Sequence, residues 1–282
     1  MNITQLKLET VTPMFLRGYD NSSLELRPPS FKALFRYWWR AAVMEMDIDN
    51  LRKREGCLFG NTKGRSPLSI RISGIASLQS DKYAPLPHKH GGFTNQAYSP
   101  NGNFNITLMA PELCEYEKIA ELGVLLGGVG NRSRRGFGSI RYQNWSFQNV
   151  NELQQKVYQT LDEISPGQFQ ACNHKIQNST VNLSDYPVIQ AIYFGQNLSD
   201  NVDSLLRQIG QATHKYSDNA LGSINPRMAS PIHVRIQKVN GQFVPIATQL
   251  NSVFPNNAAP HNYEQIQQDF INAVITIGTH ND

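Results

Sequence analysis

The sequence is poor in cysteine, in charge and in long apolar runs, and each shortage removes a class of protein. Three cysteines, Cys57, Cys114 and Cys172, stand far apart and odd in number. They supply neither a disulfide framework nor a zinc knuckle, and are expected to be reduced thiols buried as small hydrophobes. No stretch approaches the roughly 18 uninterrupted apolar residues of a membrane span. The start, Met-Asn-Ile-Thr-Gln, lacks the regions of a signal peptide, so a cytoplasmic protein is expected. Catalytic patterns are scarce as well. The seven histidines are scattered except for His88 and His90. No Ser-His-Asp or Cys-His order emerges, and Asp47, Asp49 and the acidic residues from Glu112 to Glu121 fit solvated helix ends. His88-Lys89-His90 has no further ligands at metal spacing, so neither a metal nor a cofactor is expected.

What the chain does have is globular composition and an uneven charge. Its 282 residues, 40% apolar and 17% charged, suit one large domain or two medium ones. Residues 1–141 hold 19 Lys+Arg against 12 Asp+Glu, a net of +7, whereas residues 142–282 hold 7 against 10, a net of −3. The first half is therefore expected to face a polyanion and the second another surface, such as protein.

The densest signal is Gly127 to Ile140, GGVGNRSRRGFGSI. It places Gly127, Gly128, Gly130, Gly136 and Gly138 around Arg132, Arg134 and Arg135. Glycine-dense backbone lets a ligand approach closely, and guanidiniums are planar, permanently charged forks suited to phosphate. The loop runs from a helix into a strand, which excludes the Walker and dinucleotide templates, where glycines follow a strand and open a helix. It reads as an anion cradle.

Around it the element order is legible. Residues 3–12 predict a strand. Pro28-Pro29-Ser30 predicts a helix start with Ser30 as N-cap, and Phe31, Leu34, Phe35, Trp38 and Ala42 predict a core-facing helical stripe reaching about Asp47. Lys32, Arg36 and Arg40, four apart, form a basic stripe on the same helix. Lys63 and Arg65 sit in a glycine-broken loop before a strand at 68–72, and residues 76–102 read as a long loop. A strand at 104–109, a helix at 112–126 and a strand through Phe147 complete a β-α-β-β-α-β order. The second half predicts a helix at 151–164, a loop at 168–185, a strand at 188–194, a helix at 202–216, a hairpin around Asn240-Gly241 and a helix at 263–275. The fold class is thus α+β, two ferredoxin-like (RRM-like) domains in tandem, residues 1–148 and 149–282. In such a domain one sheet face is free to lie against nucleic acid.

Four stretches together, LRPPSFKALFRYWWRA at 26–41, LFGNTKGRS at 58–66, GGVGNRSRRGFGS at 127–139 and RMASPIHVR at 227–235, resemble the RAMP superfamily. Within it, they are similar to the first subunit of the Cmr (type III-B) CRISPR RNA-guided effector complex. The resemblance implies two ferredoxin-like domains, binding of guide RNA near its 3′ end and of single-stranded target RNA, and neighbouring RAMP subunits as partners. It also implies that target cutting belongs to another subunit. Carried over by motif, the RNA contacts are Lys32, Arg36, Arg40, Lys63, Arg65, Arg132, Arg134 and Arg135, with Arg227 in the fourth stretch unassigned. Two other readings stay open: a metal-independent endoribonuclease using His88 or His90, and an assembly subunit that docks protein without touching RNA.

Overall fold

The structure, a computed structural model, describes every residue except 21, 90, 181–185, 255–258 and 279–282. The first half begins with β1 (Asn2–Thr10), α1 (Pro28–Ala42) and α2 (Ile48–Phe59). It continues with β2 (Ser69–Ser73), the hairpin β3 (Ser80–Tyr83) and β4 (Asn95–Tyr98), β5 (Asn103–Ala110), α3 (Cys114–Leu126) and β6 (Ile140–Tyr142). Strands β2-β5-β1-β6 form one antiparallel sheet. Strict alternation in β5 turns Phe104, Ile106, Leu108 and Ala110 inward, and the pairs Leu6↔Ile106 and Leu8↔Phe104 align them with the inward residues of β1. Helix α1 lies over that face, with Phe31 against Phe104 at 5.8 Å between ring centroids, and packs on α3.

The second half adds α4 (Val150–Ile164), β7 (Phe169–Cys172), β8 (Lys175–Asn178), β9 (Ile189–Phe194), α5 (Val202–Lys215), β10 (Ile232–Val239), β11 (Gln242–Leu250) and α6 (Tyr263–Ile275). Its antiparallel sheet has the order β10-β11-β9-β8-β7. Asn240 and Gly241, both at positive φ, close the β10–β11 hairpin as their residue types demand. One apolar cluster runs through Leu122 of α3, Leu153 and Val157 of α4 and Ile192 of β9. A second gathers Phe15 and Phe137 with residues of α5, β10 and α6. No described helix is long and apolar enough to cross a membrane.

Several expectations give way. Ser30 is not the N-cap of α1. Arg27 holds that position without a side-chain cap, and prolines, whose fixed φ and missing N–H suit a first turn, fill the opening positions. The helix ends at Ala42 rather than near Asp47, because Asp47 caps a separate helix, accepting from the amides of Asp49 and Asn50. That helix, α2, buries only Leu51, Glu55 and Phe59, too sparse a stripe to stand out in the sequence. The segment 76–102 contains the β3–β4 hairpin, where adjacent Ala97 and Tyr98 are both buried and erase the alternation. The strand expected through Phe147 stops at Tyr142, and the loop expected at 168–185 contains β7 and β8. All three cysteines are exposed rather than buried.

Trp38 sits in the core at 1% exposure. Trp38→Ala is expected to cost about 3–5 kcal/mol in denaturant unfolding, and an unchanged midpoint would show that the ring does not support the core.

Candidate nucleic-acid interface

Helix α1 carries its basic stripe into an open cleft of about 710 Å³ lined by Lys32, Arg36 and the segment from Phe59 to Ser69, including Arg65. A tight turn builds the far wall. Asn61 Oδ1 accepts from the amides of Lys63 (2.8 Å) and Gly64 (3.0 Å), so Lys63 and Arg65 stand on a braced loop and remain exposed. The acid beneath the helix stripe is Glu55, 6% exposed, which accepts from Nε of Arg36 at 2.8 Å and from Nε of Arg40 at 3.2 Å. One carboxylate thus aims two guanidiniums, whose side chains keep 42% and 41% of their surface open. Lys32 donates to the Leu68 carbonyl at 3.2 Å. Burial, then the like charges of Arg36 and Arg65, push its ammonium below the usual lysine range. A bound anion would relieve that repulsion.

The glycine-rich loop is folded firmly. Val129 N donates to Gly138 O, Gly138 N to Pro13 O and Asn131 N to Phe15 O, each at 2.9 Å. Two glycines are dictated by close approach. A Cβ on Gly127 would strike Trp38 Nε1 and Leu34, and one on Gly138, at φ +65°, would strike the Val129 carbonyl. The loop then runs beside β10 like an added strand: Gly136 N donates to Val234 O at 2.9 Å and Val234 N to Arg134 O at 3.1 Å.

Arg135 departs from its expected place at a ligand. It is 8% exposed, donates to the carbonyls of Ile232 (3.0 Å) and Leu221 (3.4 Å) and to Ser230 Oγ (3.1 Å), and lies over the Phe270 ring. Burial, with Arg132 and Arg134 nearby, pushes its guanidinium down to about 9. Its fork ties the loop to the second sheet and is turned away from any outside phosphate. Arg134 is half-buried, bonded to the Ser230 carbonyl and placed 5.9 Å over the Tyr37 ring. Arg132 is half-buried with φ +63°.

Between α1 and this loop lies a second cleft of about 290 Å³, lined by Tyr37, Trp38, Gly128, Ser133, Arg134 and His233 among others. Tyr37 Oη lies 3.0 Å from His233 Nε2. Burial, then Arg134 and Arg135, hold His233 well below its ordinary pKa, so the imidazole is neutral. Burial raises the Tyr37 phenol against the pull of Arg134 and Arg40.

The structure thus brings Lys32, Arg36, Arg40, Lys63 and Arg65 to one side of α1 and Arg134 to the other, and sequesters Arg135. It also adds Tyr37, Glu55 and His233, which sequence reasoning missed. Tyr37 and His233 lie within two of the quoted stretches, yet 196 residues separate them, and no local pattern joins them. The outward row of the sheet, Gln5, Lys7, Asn103, Asn105, Thr107 and Arg71, is polar, and Tyr142 of β6 lines a pocket with Gln5 and Lys7. Among the described residues, no group of three His, Cys, Asp or Glu side chains could hold a metal ion. His90 lies outside the described residues.

Arg135→Ala is expected to lower stability by about 1–3 kcal/mol, the cost of orphaning buried acceptors. Arg135→Lys should recover little, since an ammonium cannot reproduce the fork. Thermal unfolding of both variants checks this, and wild-type stability in Arg135→Ala would free the residue for ligand contact.

Comparison with known proteins places this geometry. The family model of the RAMP superfamily matches residues 7–141, which run from within β1 into β6 and include both walls of the cationic cleft. Two relatives from Pyrococcus furiosus are similar. CRISPR system Cmr subunit Cmr1-1 is 27% identical over 54% of this chain and 51% of its own length. Cmr subunit Cmr1-2 is 28% identical over 48% of this chain and 92% of its own. The chain therefore aligns with about half the length of Cmr1-1. In structure, it matches apo Cmr1 from Pyrococcus furiosus with a TM-score of 0.63 at 20% identity, covering 96% of this chain and 97% of that one. A chain of the Type III-B Cmr-beta complex bound to cognate target RNA gives a TM-score of 0.63 at 12% identity, covering 96% and 99%. The mixed α/β architecture is thus shared with these structures along nearly the whole chain, and residues 7–141 are similar to the RAMP superfamily.

Proposed function

We propose that the chain is a non-catalytic RNA-binding subunit of a type III-B CRISPR effector complex. It contacts guide RNA near its 3′ end, target RNA, or both, beside other RAMP subunits. The observation that carries this is the convergence of Lys32, Arg36 and Arg65 around one open cleft, with the acid Glu55 spent on aiming Arg36 and, one turn along the helix, Arg40. Such a surface meets a sugar-phosphate chain through charge, and Lys63 extends it outward. Arg132 and Arg134 add positive potential on the loop side of α1, while Arg135 serves by holding the loop in place.

This reading includes two ferredoxin-like units in tandem, residues 1–148 and 149–282. The order β2-β5-β1-β6 with helices α1 and α3 supports the first. For the second, β10-β11-β9 repeats the first three sheet positions, and β8, which precedes β9 in the chain, takes the fourth. The endoribonuclease reading draws support from a specific feature, the stacking of His88 on His214. Incubation of the protein with repeat-containing RNA in EDTA tests it, since discrete cleavage lost in His88→Ala would favour the enzyme.

Lys63→Ala combined with Arg65→Ala is expected to weaken binding of single-stranded RNA at least several-fold. It should also flatten the salt dependence by about 0.7 in log–log slope for each phosphate no longer neutralised, with stability held within about 0.5 kcal/mol. Anisotropy titrations at several salt concentrations measure both, and an unchanged slope would move RNA away from this cleft.

A further inference from the structure

A third group of basic side chains meets where the glycine-rich loop, the β3–β4 connection and α5 come together. The imidazoles of His88 and His214 stack at 5.7 Å between centroids with planes 30° apart. His88 Nδ1 and Arg132 Nε are both buried without a hydrogen-bond partner, a costly state for polar groups that native folds rarely leave unexplained. Arg132 also holds a left-handed backbone, which side chains other than glycine rarely adopt. The seat of His88 is built into the fold. A Cβ on Gly210, inside α5, would come 2.5 Å from His88 Nδ1, so a residue disfavoured in helices stands where the ring needs room.

Among the described residues, the charged groups that act on His88 are basic. His214 comes from α5, Lys89 from the same connection and Arg132 from the glycine-rich loop, and burial followed by these neighbours holds His88 below its ordinary pKa. Among the described residues, no ion pair includes any of the four. A cluster of donors with a guanidinium fork and no carboxylate suits an anion, and phosphate is the anion whose oxygens match both imidazolium and guanidinium.

We propose that His88, His214, Arg132 and Lys89 form a proton-linked phosphate site, which holds one phosphate of the bound strand most tightly when the His88 imidazole is charged. This rests on the reading of the chain as RNA-binding. The sign follows from linkage. His88 is neutral at neutral pH, an anion raises its pKa, and binding therefore takes up protons and strengthens as pH falls below about 6.5.

The test follows a labelled single-stranded RNA by anisotropy between about pH 7.5 and about pH 5.5 at fixed ionic strength. It uses the full chain and the variants His88→Gln, His214→Gln and Gly210→Ala, the last of which displaces the ring while favouring the helix. Wild-type affinity should rise about three- to tenfold across the range, and each variant should flatten the rise while keeping its affinity near pH 7.5. A parallel titration with inorganic phosphate, read by histidine ring NMR, separates the sources of the anion. Equal pH slopes in wild type and variants overturn the site even where RNA binds well. Histidine shifts with inorganic phosphate but no RNA binding keep the site and overturn the RNA reading, and silence in both assays overturns both.

Discussion

Two backbone hydrogen bonds, from Gly136 N to Val234 O and from Val234 N to Arg134 O, join the glycine-rich loop to the second sheet and fix where Arg134 and Arg135 stand. The same loop is tied to the first half through Pro13 and Phe15, and Arg135 closes the arrangement by reaching three acceptors on the far side. The glycines that suggested a pliant cradle instead permit contact too close for side chains. Of three arginines that look equivalent as letters, one braces the loop, one stacks on Tyr37 and one acts on His88.

Helix α1 is the other organising element. Its apolar stripe fills the core and its polar surface divides between two clefts: the basic residues meet the turn at Asn61, and Tyr37 meets His233. Strand β10 lines the second cleft with His233, and carries Arg235 and Gln237 farther along, all three buried. Arg235 donates to the Ile140 carbonyl, and burial pushes its guanidinium down to about 9. The seam between the halves is therefore polar, held by oriented donors as well as by packing.

What could be read from the letters was local. The alternation of β5, the apolar spacing of α1 and the Asn-Gly turn between β10 and β11 each carry their own signal within a few residues. Helix α2 escaped because one of its three buried positions is Glu55, which is inward only because Arg36 and Arg40 receive it. Strands β7 and β8 are short and exist by pairing with β9. At the site, the charges were visible but not their neighbours: the sequence cannot tell an arginine bound to carbonyls at Ile232 and Leu221 from one facing water. His214 and His233 gain meaning only from partners more than a hundred residues away.

The way Glu55 holds its two arginines has a consequence for recognition. Arg36 and Arg40 stand one turn apart on a helix, their Cβ atoms about 5–6 Å apart, and each is gripped at Nε by the same carboxylate, so their outer edges form adjacent rungs. Rungs that touch only the repeating ionic rail of a polymer are blind to the order of letters. Such a surface would serve any message equally well, leaving discrimination to whatever pairs with the strand.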